Sequence, residues 1–166
     1  MKRYSSAAGL ALATLAVLGL SGPVTAGEKV HFKGHLEGDV TITPLVPPFV
    51  SVLVEATGKA SHLGKFTLEI PHVVNRAKGT AVGSYEFTAA NGDTLTADFT
   101  GKAMPSATPG VLAIVETATI TGGTGRFAGA TGSFTTERLF DTAAGETAGS
   151  FEGTICLRDD DDGDDD

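Results

Sequence analysis

Residues 29 to 42 alternate with a period of two. Val30, Phe32, Gly34, Leu36, Gly38, Val40 and Ile42 fall on one side, and Lys29, His31, Lys33, His35, Glu37, Asp39 and Thr41 on the other. Alternation of this length predicts a strand with one face in a core and the other in water. It also turns His31 and His35 outward. On a strand, residues four apart are separated by about 13 Å at ~3.3 Å per residue, too far to share a metal ion. The pattern breaks at Thr43-Pro44-Leu45-Val46-Pro47-Pro48. Prolines remove donors and fix φ, so a loop is expected there, its apolar residues closing a barrel mouth or lining an entrance.

Phe49 to Ala60 and Lys65 to Val74 read as the next two strands, with Val50, Val52, Val54 and Ala56 facing the same side as Phe66, Leu68 and Ile70. Facing pairs between these even-numbered sets need an odd loop. Ser61 opposite Lys65 satisfies this, with His62-Leu63-Gly64 between them and Gly64 left-handed. His62 then sits on an exposed turn. Pro71 predicts an edge or bulge beside His72. His72 is the one histidine with apolar parity, and it reads as a satisfied core residue ahead of a catalytic one.

The next hairpin follows the same logic. Tyr85 and Phe87 share a face, as do Leu95, Ala97 and Phe99. A two-residue Asn-Gly turn would flip one strand, whereas the odd loop Ala90-Asn91-Gly92 pairs Phe87 with Leu95 and Tyr85 with Ala97. After a proline-containing loop over 104–110, Val111 to Ile120 is apolar on both faces, which predicts an outer face covered by a partner subunit or a loop. Ser133 to Phe140 and Thr147 to Leu157 supply two more strands, joined by a turn over 141–146. Eight short strands at regular spacing predict an all-β fold, an eight-stranded antiparallel up-and-down β-barrel. The interior of such a barrel is filled, or just wide enough for one small ligand.

Between the sixth and seventh strands lies the densest glycine cluster, Ile120 to Phe134. Gly123-Thr124-Gly125-Arg126-Phe127-Ala128 fits a G-x-G-x-x-A dinucleotide fingerprint, but that motif needs a following helix to hold the pyrophosphate. Only Arg126 to Ala130 has room for a turn before Gly129 and Gly132 interrupt. The stretch is therefore read as a glycine-shaped connection between antiparallel neighbours, with Phe127 tucked back onto the barrel end. Its pattern Gly-Gly-Thr-Gly-x-Phe-x-x-Ala-x-Gly, residues 122 to 132, resembles the signature of the allene oxide cyclase/dirigent superfamily. With His62-Leu63-Gly64-Lys65-Phe66-Thr67 and Ala89-Ala90-Asn91-Gly92-Asp93, the chain is most similar to uncharacterised secreted bacterial barrels of this type. The resemblance implies a calycin-like eight-stranded barrel with an apolar lumen, often assembled as a homotrimer. Residues 29 to 42 depart from the charged, asparagine-containing first-strand motif of allene oxide cyclases, and the catalytic aspartates of dirigent proteins have no counterpart that aligns here.

Composition places the barrel. Lys2 and Arg3 precede an apolar run, Ala7 to Leu20, that is short for a membrane span, and Val24-Thr25-Ala26 fits cleavage by a signal peptidase. The expected organisation is a signal peptide at 1–26, a barrel domain at 27–158 and a disordered acidic tail at 159–166. The protein would be exported, periplasmic or extracellular, with no membrane span once processed. Cys156 is the only cysteine, so no internal disulfide is available. The net charge is −8, and Asp159–Asp162 with Asp164–Asp166 supply seven of the acids. No basic stripe points to nucleic acid. The tail does not fit a calcium loop, because Arg158 stands where an acid is required. No metal or cofactor is predicted.

Chemistry is confined to the lumen. Glu116 has the parity of Ile114 and Ala118, and Arg138 that of Phe134 and Phe140. Pairing of the sixth and seventh strands would bring these two charges together among apolar side chains. One reading makes them, with Tyr85, the group that orients a polar end of an apolar ligand or catalyses its conversion. The other makes them a structural ion pair, or turns Arg138 outward in favour of Ser133, Thr135, Glu137 and Leu139. Phe32, Phe66, Tyr85, Phe87, Phe99, Glu116 and Arg138 are the candidate lumen-lining residues. The expected role is non-catalytic: an exported barrel that holds a small hydrophobic molecule or serves as an envelope component. The alternative is an isomerase, cyclase or dirigent-like protein acting on a hydrophobic substrate in the lumen.

Overall fold

The computed structural model describes residues 27–158, so the expected signal peptide and acidic tail lie outside the described residues. Eight strands follow in order: β1 (Lys29–Pro44), β2 (Phe49–Ala60), β3 (Gly64–Asn75), β4 (Thr80–Ala89), β5 (Thr94–Pro105), β6 (Val111–Gly123), β7 (Thr131–Asp141) and β8 (Glu146–Cys156). Each pairs antiparallel with the next, and β8 closes on β1. Closure leaves no edge strand to template another chain. The fold is the antiparallel up-and-down barrel that the alternation predicts.

The barrel has two unlike ends. At one, the β2–β3 and β4–β5 turns meet the glycine stretch, which contributes a single 3-10 turn, Gly125–Phe127. Phe127 and Leu63 are buried there as a plug. Asp93 ties the stretch to the β4–β5 turn by accepting the Arg126 N–H, and the Arg126 guanidinium lies 5.0 Å from the Phe127 ring centroid. Behind the plug, Phe32, Phe66, Phe87, Phe134 and Phe151 fill the lumen. Ring centroids are 5.1 Å apart for Phe32 and Phe151, 5.2 Å for Phe66 and Phe87, and 5.5 Å for Phe134 and Phe151. Tilted and edge-on rings at these distances add to the burial they already provide. Eight strands cannot hold five phenylalanines in one layer without gaps for them. Glycines on neighbouring strands supply these: a Cβ on Gly58 would lie 2.5 Å from the Phe66 ring, and one on Gly153 would lie 2.7 Å from the Phe134 Cβ.

Two local expectations are corrected. The β2–β3 loop is odd, as the parity requires, but Ala60 pairs with Gly64, so the turn is Ser61-His62-Leu63. His62 has φ +63°, as Gly64 has +66°, and the slip buries Leu63 in the plug. Pro71 marks neither an edge nor a bulge. The β3–β4 register is the same before it (Glu69 with Glu86) and after it (His72 with Gly83), and only the pairs between drop out of the ladder. A proline has no N–H to give. The β4–β5 hairpin has the expected register, Phe87 with Leu95 and Tyr85 with Ala97.

Candidate functional site

Midway along the barrel the inward positions change from aromatic to polar. Glu116 on β6 and Arg138 on β7 are near neighbours because Glu116 pairs with Thr136 and Ile114 with Arg138. Arg138 donates from Nη2 to Glu116 Oε1 at 2.8 Å and from Nε to Oε2 at 3.1 Å. This is a fork-to-carboxylate pair, 1% and 4% exposed. Tyr85 on β4 donates its hydroxyl to Glu116 Oε2 at 2.5 Å, and Arg138 Nη1 donates to Thr147 Oγ1 at 3.2 Å. Strand seven therefore turns Phe134, Thr136, Arg138 and Phe140 inward, and Ser133, Thr135, Glu137 and Leu139 outward.

The electrostatics follow from burial and pairing. Burial raises the Tyr85 phenol well above its ordinary pKa, and the neighbouring Glu116 charge adds to this. Burial alone would lower Arg138, but the hydrogen bonds and charge of Glu116 outweigh it and leave its pKa raised. Tyr85 thus stays a phenol and Arg138 a cation. With both oxygens occupied by donors, Glu116 is poorly placed to accept a substrate proton.

Beyond this layer the lumen opens into a cavity of about 420 Å³. Val40, Val50, Val52, Leu112, Ile114 and Phe140 make its wall, and His72 and Arg138 contribute polar groups. His72 is 8% exposed and meets Phe99 edge-on at 5.6 Å. Its Nδ1 lies 2.8 Å from the Ile70 carbonyl oxygen. A carbonyl only accepts, so Nδ1 carries the proton and Nε2 of the neutral ring is a free acceptor. Burial lowers the His72 pKa, and the Arg138 charge acts in the same direction against the Ile70 hydrogen bond.

His72, Glu116 and Arg138 each face a glycine on a neighbouring strand. A Cβ on Gly83 would meet His72 Cβ at 2.4 Å, one on Gly101 would meet Glu116 Cγ at 2.7 Å, and one on Gly149 would meet Arg138 Cβ at 2.5 Å. These strand glycines were the available signal for the site. Of the candidates read from the sequence, Glu116, Arg138 and Tyr85 come together, and Arg138 also lines the cavity. Phe32, Phe66 and Phe87 lie in the closed aromatic half, and Phe99 bridges Tyr85 and His72. His31, His35 and His62 are exposed on the outside.

No family model matches the chain, and no curated protein matches it. Among solved structures it is similar to the pterocarpan synthase dirigent protein GePTS1, with 14% identity, a TM-score of 0.58, and coverage of 90% of this chain and 100% of that one. It is also similar to the pterocarpan synthase dirigent protein PsPTS1, with 10% identity, a TM-score of 0.60, and coverage of 81% of this chain and 99% of that one. At these identities the likeness is one of fold: the chain shares an eight-stranded barrel with these dirigent proteins.

Proposed function

We propose that this protein holds a small, largely apolar molecule in the open half of its barrel, without catalysing a reaction on it. The observation that carries this reading is the half-open lumen: a cavity of about 420 Å³ with a branched aliphatic wall and polar groups from His72 and Arg138. That size and chemistry match small-molecule sites, which are mostly apolar with a few fixed polar groups. Arg138 keeps N–H groups beyond those given to Glu116 and Thr147, and they are available to an oxygen of the ligand. His72 Nε2 would accept from a hydroxyl.

A second reading has a specific observation behind it. The structural neighbours are named as pterocarpan synthase dirigent proteins, and His72 offers a neutral proton acceptor at the cavity. On this reading the barrel converts a hydrophobic substrate, with His72 as the base and Arg138 steadying the negative charge that develops. Export through the segment at 1–26 belongs to the proposal on the strength of the sequence, and trimer formation on the strength of the resemblance.

Binding of an apolar fluorophore carrying a sulfonate tests the first reading. Saturable binding at one site per chain is expected, and Val52→Phe, which fills the cavity, should remove it while the thermal midpoint is kept. Binding that ignores Val52→Phe would place the probe elsewhere and overturn the assignment.

A further inference from the structure

The open end of the barrel is built from four loops, and three of them share one chemistry, cationic and apolar without acids. Residues 40–54, 70–85 and 99–115, which carry the β1–β2, β3–β4 and β5–β6 loops, contain no aspartate or glutamate, in a chain of net charge −8. They do contain Arg76, Lys78 and Lys102, all exposed. Beside these cations stand exposed apolar side chains: Val46 at 81%, with Leu45, Phe49 and Met104. Acids reach this rim on the side of the fourth loop, with Asp141 and Glu146 at its two ends and Asp39 of β1 opposite Glu146. The last described residue before the acidic run, Arg158, lies at the opposite end, beside Gly129.

The apolar tip is held in shape. Leu45 N–H donates to the Phe49 carbonyl at 3.2 Å, Phe49 N–H to Val46 at 3.1 Å, and Arg76 N–H to the Pro48 carbonyl at 3.0 Å. The last bond joins the apolar loop to the cationic one. Pro44, Pro47 and Pro48 have no N–H at all. Among residues 44–49 this leaves Val46 as the one amide without a protein partner. A loop that keeps so few free donors loses little when water is withdrawn from it.

We infer that this rim docks on the surface of a lipid bilayer that contains anionic phospholipid. Val46, Leu45 and Phe49 enter the boundary between headgroups and acyl chains, while Arg76, Lys78 and Lys102 face the lipid phosphates. Apolar burial and attraction to anionic lipid act together in this mode of binding. The same rim surrounds the mouth of the lumenal cavity, to which Ile42 and Arg76 both contribute. Docking would set that mouth against the membrane, the reservoir from which an apolar molecule would enter without crossing water.

The test is co-sedimentation of the full chain with vesicles of phosphatidylglycerol and phosphatidylethanolamine, against vesicles of phosphatidylcholine. It reads docking whether or not the cavity holds a ligand. Binding to the anionic vesicles is expected, weakened by salt as screening requires. Leu45→Asp with Val46→Asp should lower the lipid partition constant at least about tenfold, since full burial of one such side chain is worth that much. Arg76→Glu with Lys78→Glu should abolish the preference for anionic lipid. Both pairs are exposed, and an unchanged thermal midpoint verifies that the barrel is intact. Residues 1–26 are common to all variants, so binding that survives both pairs comes from elsewhere and overturns the proposal. Absence of vesicle binding also overturns it, and self-association lost on Leu45→Asp with Val46→Asp would then identify a second copy as the occupant.

Discussion

Glu116 and Arg138 are both buried, so their mutual geometry decides whether they stabilise or endanger the fold. Glu116→Gln leaves the guanidinium with no counter-charge, which should cost roughly 3–5 kcal/mol in denaturant unfolding. Replacing both, Glu116→Leu with Arg138→Met, should cost far less, because a buried pair is often neutral against apolar residues of similar volume. If the double variant is as unstable as the single one, the pair contributes more than its own compensation. His72 gives a pH signature. Its folded pKa lies below the ordinary value of about 6.5, so the unfolded chain takes up the proton first as pH falls. Its contribution to stability is therefore complete above about 6.5, and declines below that until His72 itself charges in the barrel. Thermal midpoints of the wild type and His72→Gln should diverge in that acid range, with the wild type losing more. A wild type that gains stability on acidification relative to His72→Gln would contradict the burial account. Parity alone brought Glu116, Arg138 and Tyr85 together. It placed His72 inward too, but parity carries no information on depth, and the cavity at that level depends on which residues the other strands place there.

At the scale of elements, alternation predicted most strands, because a period of two is imposed by the pleat itself. The β4–β5 register was legible since only one loop parity keeps Tyr85 and Phe87 on the same face as Leu95 and Ala97. The β2–β3 turn slipped by one residue because parity permits either odd loop, and burial of Leu63 in the plug decides between them. A larger feature needed the registers of three hairpins and of the β8–β1 closure at once. Glu146, Asp39, Glu55, Glu69 and Glu86 stand opposite one another across β8, β1, β2, β3 and β4. Like charges directly opposite are destabilising. Glu55→Thr, in the middle of this row, should stabilise the barrel by roughly 0.2–1 kcal/mol for each relieved pair. The gain should shrink as salt is raised, and a loss of stability at low salt would show that the row is compensated.

The whole molecule is a barrel divided across its middle. One half is closed by Phe127 and packed with phenylalanine, and the other is open and aliphatic, with the Tyr85–Glu116–Arg138 layer between them. All seven candidate lumen residues do point inward, yet only Arg138 reaches the cavity, because inward-facing and cavity-lining are different properties once half of the lumen is solid. The measurement that bears most directly on the central claim is native mass spectrometry. The wild type and Val52→Phe would be purified side by side from the same cells without detergent. A small-molecule adduct is expected on the wild type, released on denaturation and missing from Val52→Phe. The same adduct on both proteins, or none on either, would contradict a ligand in the open half of the barrel.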